Sequence, residues 1–403
     1  MTLSRPVSGL EVKWLAAHRI DPPFALDFVL ELDGLLEVAR LERAWQVVVT
    51  AHPGLRVRMK GRLARRRWVA DGALPPLVSV RHPGWTARTG LPQEALAVEL
   101  DPERGPVAVL GLVPGPGAAT HTLVLRVLHA VTDGRGGLAV LRDLLAVLRG
   151  ESLGAPRFVV QTDAELSRAV GGVSAPPPVA DRAPHARGGA NRGARGGTWT
   201  RVTLPAPAGP VYGSVVQALA RWPDRGPLRY TLPVDLRRHR PDLPVTIGNL
   251  TGLVHMEVSE VLQAADGAQA FARALRQAVE DGHHHGPVLE SEAMRKLPLR
   301  LLSGAGGALS TRDHRRGVVP ASATVSNLGR LDLSAWTTGD LHARAVFVGA
   351  PASPGLPLLA VLTGNDHRLE VTGAVPAAWG GPHDWAEALA GSALSASAGS
   401  GNP

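Results

Sequence analysis

The spacing of apolar positions changes several times along the chain, and each change predicts an element. Residues 5–17 carry apolar side chains at helical spacing. Residues 25–33 (ALDFVLELD) alternate apolar and polar, the period of a strand. From Leu36 to Ala51 the helical period returns, and His52-Pro53-Gly54 stops it. Leu55–Met59, Val107–Val113 and Thr122–Leu128 read as strands, and Leu138–Leu148 as a strongly apolar helix. The mixture then recurs. Strands are predicted at Leu228–Pro233, Thr251–Val258, Ala323–Asn327, Ala345–Val348, Leu358–Leu362 and Leu369–Thr372. Helices are predicted at Ser214–Arg221, Val261–Val279, Glu292–Leu297 and His383–Leu394. No long βαβ alternation appears, which disfavours a doubly wound parallel sheet. An α+β chain of two halves, each a sheet with packed helices, fits the pattern.

Between the halves the periodicity vanishes. Residues 171–200 are dominated by Gly, Pro, Ala and Arg, a composition that cannot bury enough surface to offset ordering, and they predict a linker or mobile loop. The expected units are therefore residues 1–170, the linker 171–200, residues 201–395 and a fraying tail 396–403. At 403 residues, about two or three domains are expected. Apolar residues make up 44% and aromatics only 4%, so the core must be mostly Val, Leu and Ala. No apolar run approaches the roughly 20 residues that span a bilayer, and the N-terminus lacks a signal-peptide pattern. A cytoplasmic protein is expected. The absence of cysteine removes disulfides, thiolate nucleophiles, iron–sulfur clusters and Cys-ligated zinc. The net charge is +8, and all of the 43 basic residues except Lys13, Lys60 and Lys296 are arginine. With abundant Ala, Gly and Pro, this reads as the codon bias of a GC-rich genome, and the basic residues form no aromatic-interleaved stripe. Nucleic acid is not an expected partner.

Candidate chemistry concentrates between Leu123 and Gly150. A strand runs into His129, a turn carries Asp133-Gly134 and Gly136-Gly137, and a helix follows. The pattern is His129-x-x-x-Asp133-Gly134. A histidine at the end of a buried strand sits on a rigid support and titrates near neutrality, so it suits proton transfer from a hydroxyl or amine. Asp133 could orient the imidazole or brace the turn through an arginine, and Gly134 permits a positive φ and close backbone approach. A packed histidine followed by ordinary Asp-Gly turn chemistry accounts for the same residues equally well.

Four other features carry less. His283-His284-His285 suggests a metal, but adjacent histidines in a strand or helix cannot all face one ion, and a solvated loop is expected. No metal site is expected elsewhere. His255, on a predicted strand, reads as a packed core histidine rather than a channel residue. Gly134-x-Gly136-Gly137 lacks the spacing of a dinucleotide fingerprint. Arg65-Arg66-Arg67 reads as a solvated hairpin edge, with docking of a phosphate group or an acidic protein as the alternative.

HAVTDG between an apolar strand and an apolar helix resembles the signature of the CoA-dependent acyltransferase superfamily, which includes condensation domains, polyketide-associated acyltransferases, alcohol acetyltransferases and chloramphenicol acetyltransferase. Further matches follow in family order. They are Leu32-Asp33-Gly34 with the helix ending in HPGLR, Pro233-Val234-Asp235-Leu236-Arg237 with Gly248-Asn249, and Val325-Ser326-Asn327-Leu328-Gly329-Arg330. Together they span about Leu10 to Leu389. The resemblance implies two chloramphenicol-acetyltransferase-like subdomains arranged as a V around a channel with His129 at its middle. It implies a standalone acyltransferase that moves an acyl group from a CoA or carrier-protein thioester to a hydroxyl or amine of a secondary metabolite or lipid. His129, Asp133 and Gly134 would form the catalytic motif, with His129 as general base. Asp133 would pair with Arg237, with Arg135 and Arg142 as weaker candidates, and Asn327 is a candidate oxyanion donor beside the Gly134 N–H. No permanently bound cofactor is implied. The substrates would be acyl-CoA or a phosphopantetheine-linked thioester, and the partners an acyl carrier protein and a small alcohol or amine acceptor. Leu128 stands where condensation domains usually carry a second histidine, which shifts the likeness toward single-histidine branches. Two alternatives remain: a free-standing condensation enzyme joining carrier-bound substrates, and a non-catalytic module that recruits a carrier protein.

Overall fold

The first helix opens at Gly9, later than its spacing suggests. Ser8 forms a capping box, accepting from the Glu11 N–H at 3.3 Å while Glu11 accepts from the Ser8 N–H at 2.9 Å. The residues before it, Ser4–Pro6, pair instead with Arg67–Val69 as antiparallel strands. The computed structural model describes residues 2–82, 85–115, 117, 119–170, 183–184, 196–206, 210–220, 229–258, 262, 266–353, 355–379, 385–387 and 389–391.

Eleven strands make the two large sheets: β1 Ala25–Gly34, β2 Leu77–Ser79, β3 Ala108–Pro114, β4 Thr120–Leu128, β5 Trp199–Pro205, β6 Arg229–Asp235, β7 Thr251–Glu257, β8 Ala323–Arg330, β9 Leu341–Gly349, β10 Leu359–Gly364 and β11 Arg368–Ala374. The first sheet has the order β9-β1-β4-β3-β2 and the second β7-β6-β8-β10-β11-β5. The second is mixed, because β8 runs parallel to both β6 and β10. Strand β9 lies late in the chain yet pairs with β1 from Leu341↔Gly34 to Gly349↔Asp27. The two sheets are therefore not divided at residues 171–200.

Helices Val38–Ala51 and Gly134–Leu148 pack on the first sheet and bury Trp45, Val48, Leu141 and Leu144. Helices Val211–Leu219 and Gly267–Glu280 cover the second and bury Val216, Leu219 and Phe271. Fully burying each such side chain stabilises by about 1.5–3 kcal/mol. β1 alternates in sequence, but its first six residues are all buried. Its polar position, Asp27, is satisfied inside by Arg126 at 2.6 and 2.9 Å.

Among the helices that escape the apolar periodicity, two have eight residues or more. Leu299–Arg316 contains Gly304, Gly306 and Gly307, which depress helix propensity, and it buries only Asp313 and His314. Asp163–Val170 starts from a Thr162–Glu165 capping box, with bonds of 2.8 and 3.1 Å, but it is too short to show a period. Glu292–Lys296 is a 3-10 turn rather than a longer helix. Of the expected linker, residues 171–182 and 185–195 lie outside the described residues, as does the tail 396–403. Ala183–Pro184 pairs with Val318–Val319, and β5 begins at Trp199. Within the expected helices 261–279 and 383–394, residues 261, 263–265, 383–384, 388 and 392–394 also lie outside the described residues.

Candidate functional site

Strand β4 ends at Leu128, buried in the first sheet, and delivers His129 to its edge. Three contacts hold the residue there. The His129 N–H donates to the Phe24 carbonyl at 3.0 Å, Asn249 Nδ2 donates to the His129 carbonyl at 2.8 Å, and the ring stacks on Trp14 with centroids 4.8 Å apart. Phe24 extends the stack at 5.8 Å. Nδ1 faces the Thr132 carbonyl at 3.1 Å. A carbonyl only accepts, so Nδ1 carries the proton and Nε2 keeps its lone pair. Burial lowers the imidazole pKa, and the neutral ring is the resting form.

Asp133 caps the following helix. Its Oδ1 accepts from the Gly136 N–H at 2.8 Å. Its Oδ2 accepts from the Leu250 N–H and from Arg237 Nη1, both at 2.9 Å. The carboxylate thus ties the motif turn to residues of the second half, and it makes no hydrogen bond to His129. Of the other arginine candidates, Arg135 pairs with Asp235 at 3.1 Å and Arg142 is exposed.

Gly134 has no positive φ. Its missing side chain makes room for Leu328, since a Cβ would stand 2.6 Å from Leu328 Cδ2. The helix beginning there starts before the expected Leu138, because the Asp133 cap offsets the poor propensity of Gly134, Gly136 and Gly137.

Between the sheets lies a mostly apolar cavity of about 290 Å³, lined by His129, Asp133 and Gly134. Trp14, Phe24, Leu26, Leu253, Leu356 and Val361 supply apolar wall. Asn327 is not part of the lining. Side chains alternate along β8, so Thr324, Ser326 and Leu328 enter the cavity and Asn327 does not. Asn327 Oδ1 instead accepts from the Gly329 N–H at 2.9 Å. The hydroxyls on the cavity side of this segment belong to Thr324 and Ser326, with Ser326 nearer the position of Asn327.

His255 also departs from expectation. It opens into the cavity rather than packing in a core, because β7 presents its odd positions, Thr251, Leu253 and His255, to that side. Its Nδ1 pairs with Thr231 Oγ1 at 3.0 Å. Burial and then the charge of Lys13 hold its pKa down to about 4. Lys13 lines the same cavity beside Trp14, and burial lowers its pKa. Reading the motif alone misses Trp14, Lys13, Asn249 and Ser326. Asn249 and Ser326 lay within segments already marked as family-like, so their positions, though not their contacts, were visible.

Two surface expectations are overturned. His283–His285 is a 3-10 turn, not a solvated loop, and His284 and His285 are buried against His239. Arg66 is also buried, donating to the Leu297 carbonyl at 2.9 Å, so only Arg65 and Arg67 of the basic run face solvent.

No protein-family model and no curated protein matches the chain. Several solved structures do. Polyketide synthase associated protein 5 from Mycobacterium tuberculosis aligns with a TM-score of 0.64 at 16% identity, covering 99% of this chain and 98% of that one. The first condensation domain of the calcium-dependent antibiotic synthetase, in complex with a substrate analogue, gives 0.65 at 18% identity, with 98% and 95% covered. The starter condensation domain of rhizomide synthetase, in complex with C8-CoA and Leu-SNAC, gives 0.61 at 16% identity, with 98% and 94% covered. The chain has the α+β fold of condensation domains.

Proposed function

We propose that this condensation-domain fold serves acyl transfer from a CoA or carrier-protein thioester to a hydroxyl or amine. The observation that carries the reading is a neutral His129 with its Nδ1–H held by the Thr132 carbonyl, at the wall of a mostly apolar cavity. The complex of the rhizomide starter domain with C8-CoA supports a thioester donor. Nε2 of His129 takes the proton from the acceptor O–H or N–H as that oxygen or nitrogen attacks the thioester carbonyl. The tetrahedral oxyanion then meets the Gly134 N–H, which the helix leaves without an intrahelical partner, and the Ser326 hydroxyl. Collapse breaks the C–S bond, and the departing thiolate recovers the proton from the imidazolium. Asp133 and Arg237 act by holding the turn. No metal, and no covalent acyl-enzyme, takes part in this scheme. The expected compartment is cytoplasmic, and the acceptor class is a secondary metabolite or lipid.

The test is thiol release from a panel of acyl-CoAs and acyl-carrier proteins, each with and without alcohol and amine acceptors. Acceptor-dependent release from one donor class supports the reading and identifies the donor. Joining of two carrier-bound substrates with no turnover of free acceptors replaces it with a condensation reaction. Carrier-protein binding without any release replaces it with recruitment.

A further inference from the structure

A second cluster of imidazoles lies away from the cavity, built from two short turns. Leu236–His239 ends in His239, and His283–His285 supplies His284 and His285. One ring nitrogen of each lies within 4.8 Å of the others, and among the described residues no other His, Asp or Glu group has this geometry. His239 Nε2 and His284 Nε2 are 3.0 Å apart, and the His284 and His285 ring centroids are 3.9 Å apart.

Hydrogen bonding within the protein does not account for this arrangement. His284 and His285 are 0% and 1% exposed. His284 Nδ1 and both nitrogens of His285 have no partner among the described residues. Each buried nitrogen left unpaired costs about 1–3 kcal/mol. One proton shared between His239 Nε2 and His284 Nε2 serves those two nitrogens but leaves His285 wholly unserved. A cation held by all three lone pairs serves every ring.

We propose that His239, His284 and His285 form a binding site for a divalent transition-metal ion, of which Zn²⁺ is the best fit. Imidazole donors without carboxylates suit Zn²⁺, Co²⁺, Ni²⁺ or Cu²⁺ rather than Mg²⁺ or Ca²⁺. Tetrahedral Zn–N bonds of about 2.0–2.1 Å place ligand nitrogens roughly 3.4 Å apart, so small ring movements close the site. Three histidines leave a fourth position for water. Adjacent histidines in a helix or strand point apart and cannot share an ion. Here the turn follows Gly282 in the left-handed region (φ 77°), and successive rings converge. The backbone of Gly252 on β7 lies beneath His284, where a Cβ would be 2.7 Å from the His284 carbonyl oxygen. The metal would therefore fasten the turn that carries Arg237, the partner of Asp133, to the turn behind β7.

Untagged full-length protein, stripped with a chelator, is titrated with Zn²⁺ by calorimetry and with Co²⁺ by visible absorption. The site predicts uptake of a single ion, intense tetrahedral-type cobalt bands and a raised melting temperature. His239→Gln, at the half-buried rim, weakens Zn²⁺ binding at least roughly tenfold, and His285→Gln does the same. His283→Gln, outside the cluster, leaves affinity unchanged. No saturable Zn²⁺ uptake, six-coordinate cobalt spectra from the wild type, or full affinity in folded His239→Gln overturns the proposal. The cobalt spectrum needs no variant, so a misfolded mutant does not obscure the result.

Discussion

His129 is set apart from other buried histidines in the chain by what its ring nitrogens meet. His52 has both nitrogens engaged, Nδ1 with Thr246 Oγ1 at 2.6 Å and Nε2 with Asp143 at 2.7 Å. Its pKa is held at about 3 by burial and then by Arg157, whose Nη2 also lies 3.0 Å from Nε2. His129 has only Nδ1 engaged, which leaves Nε2 available for the proposed role of base. Because burial lowers the His129 pKa, kcat/KM should rise with pH and level off below the ordinary imidazole value of 6.5. A limb with its midpoint above 6.5 would contradict the assignment. Asp133 predicts a different outcome. Asp133→Ala removes a cap and one of the two carboxylates on Arg237 Nη1, Asp235 at 3.1 Å being the other, so it should destabilise by about 2–3 kcal/mol in denaturant titration. The sequence placed both residues well, because His-x-x-x-Asp-Gly lies where a strand period gives way to a helix period. It placed Asn327 poorly, because strand alternation separates two faces without saying which one meets a cavity.

At the scale of elements, the glycines of the motif helix are explained by what approaches them. Gly137 faces the Phe28 ring from β1, and a Cβ there would lie 2.0 Å from Phe28 Cζ. Gly137→Ala should therefore cost about 1–3 kcal/mol by overpacking, although alanine favours helix elsewhere. A denaturation midpoint equal to or above wild type would show that Phe28 moves aside freely. The same contrast governs what could be read in advance. Helix Val38–Ala51 and strand β4 were legible because their own residues carry the period. Helix Leu299–Arg316 was not, since its glycines and exposed surface erase it. The pairing of β9 with β1 was not legible either, because contacts between distant segments leave no local pattern. His283–His285 was misread for the same reason: a turn of three residues has no period, and its burial comes from His239.

Across the whole molecule, buried titratable groups set opposing slopes of stability with pH. Buried His52 has a folded pKa of about 3, and burial lowers that of His129 too, both below the unfolded value. The unfolded chain binds more protons below pH 6.5, so stability is full above that value and falls as pH drops. Asp163 is fully buried, accepts from Ser8 Oγ at 3.2 Å and lies near Glu11. Burial first, then the Glu11 charge, raises its pKa to about 8. The folded chain then holds the extra proton, so this stabilisation is complete below 3.8 and is lost as pH rises through 8. Acting together, these groups predict maximal stability near pH 6–7. Asp163→Asn mimics the protonated acid, so its stabilising effect should grow by about 3–4 kcal/mol between pH 5 and pH 8.5. Equal effects at both pH values would show that Asp163 is ionised in the fold.

The central claim is that this condensation-domain fold uses His129 as the base of thioester-dependent acyl transfer. The most direct measurement compares wild type with His129→Ala for acceptor-dependent thiol release from the best acyl donor, with circular dichroism confirming that both are folded. The account predicts release by the wild type and a loss of about 100-fold or more in the variant. Wild-type rates from a folded His129→Ala protein would contradict it.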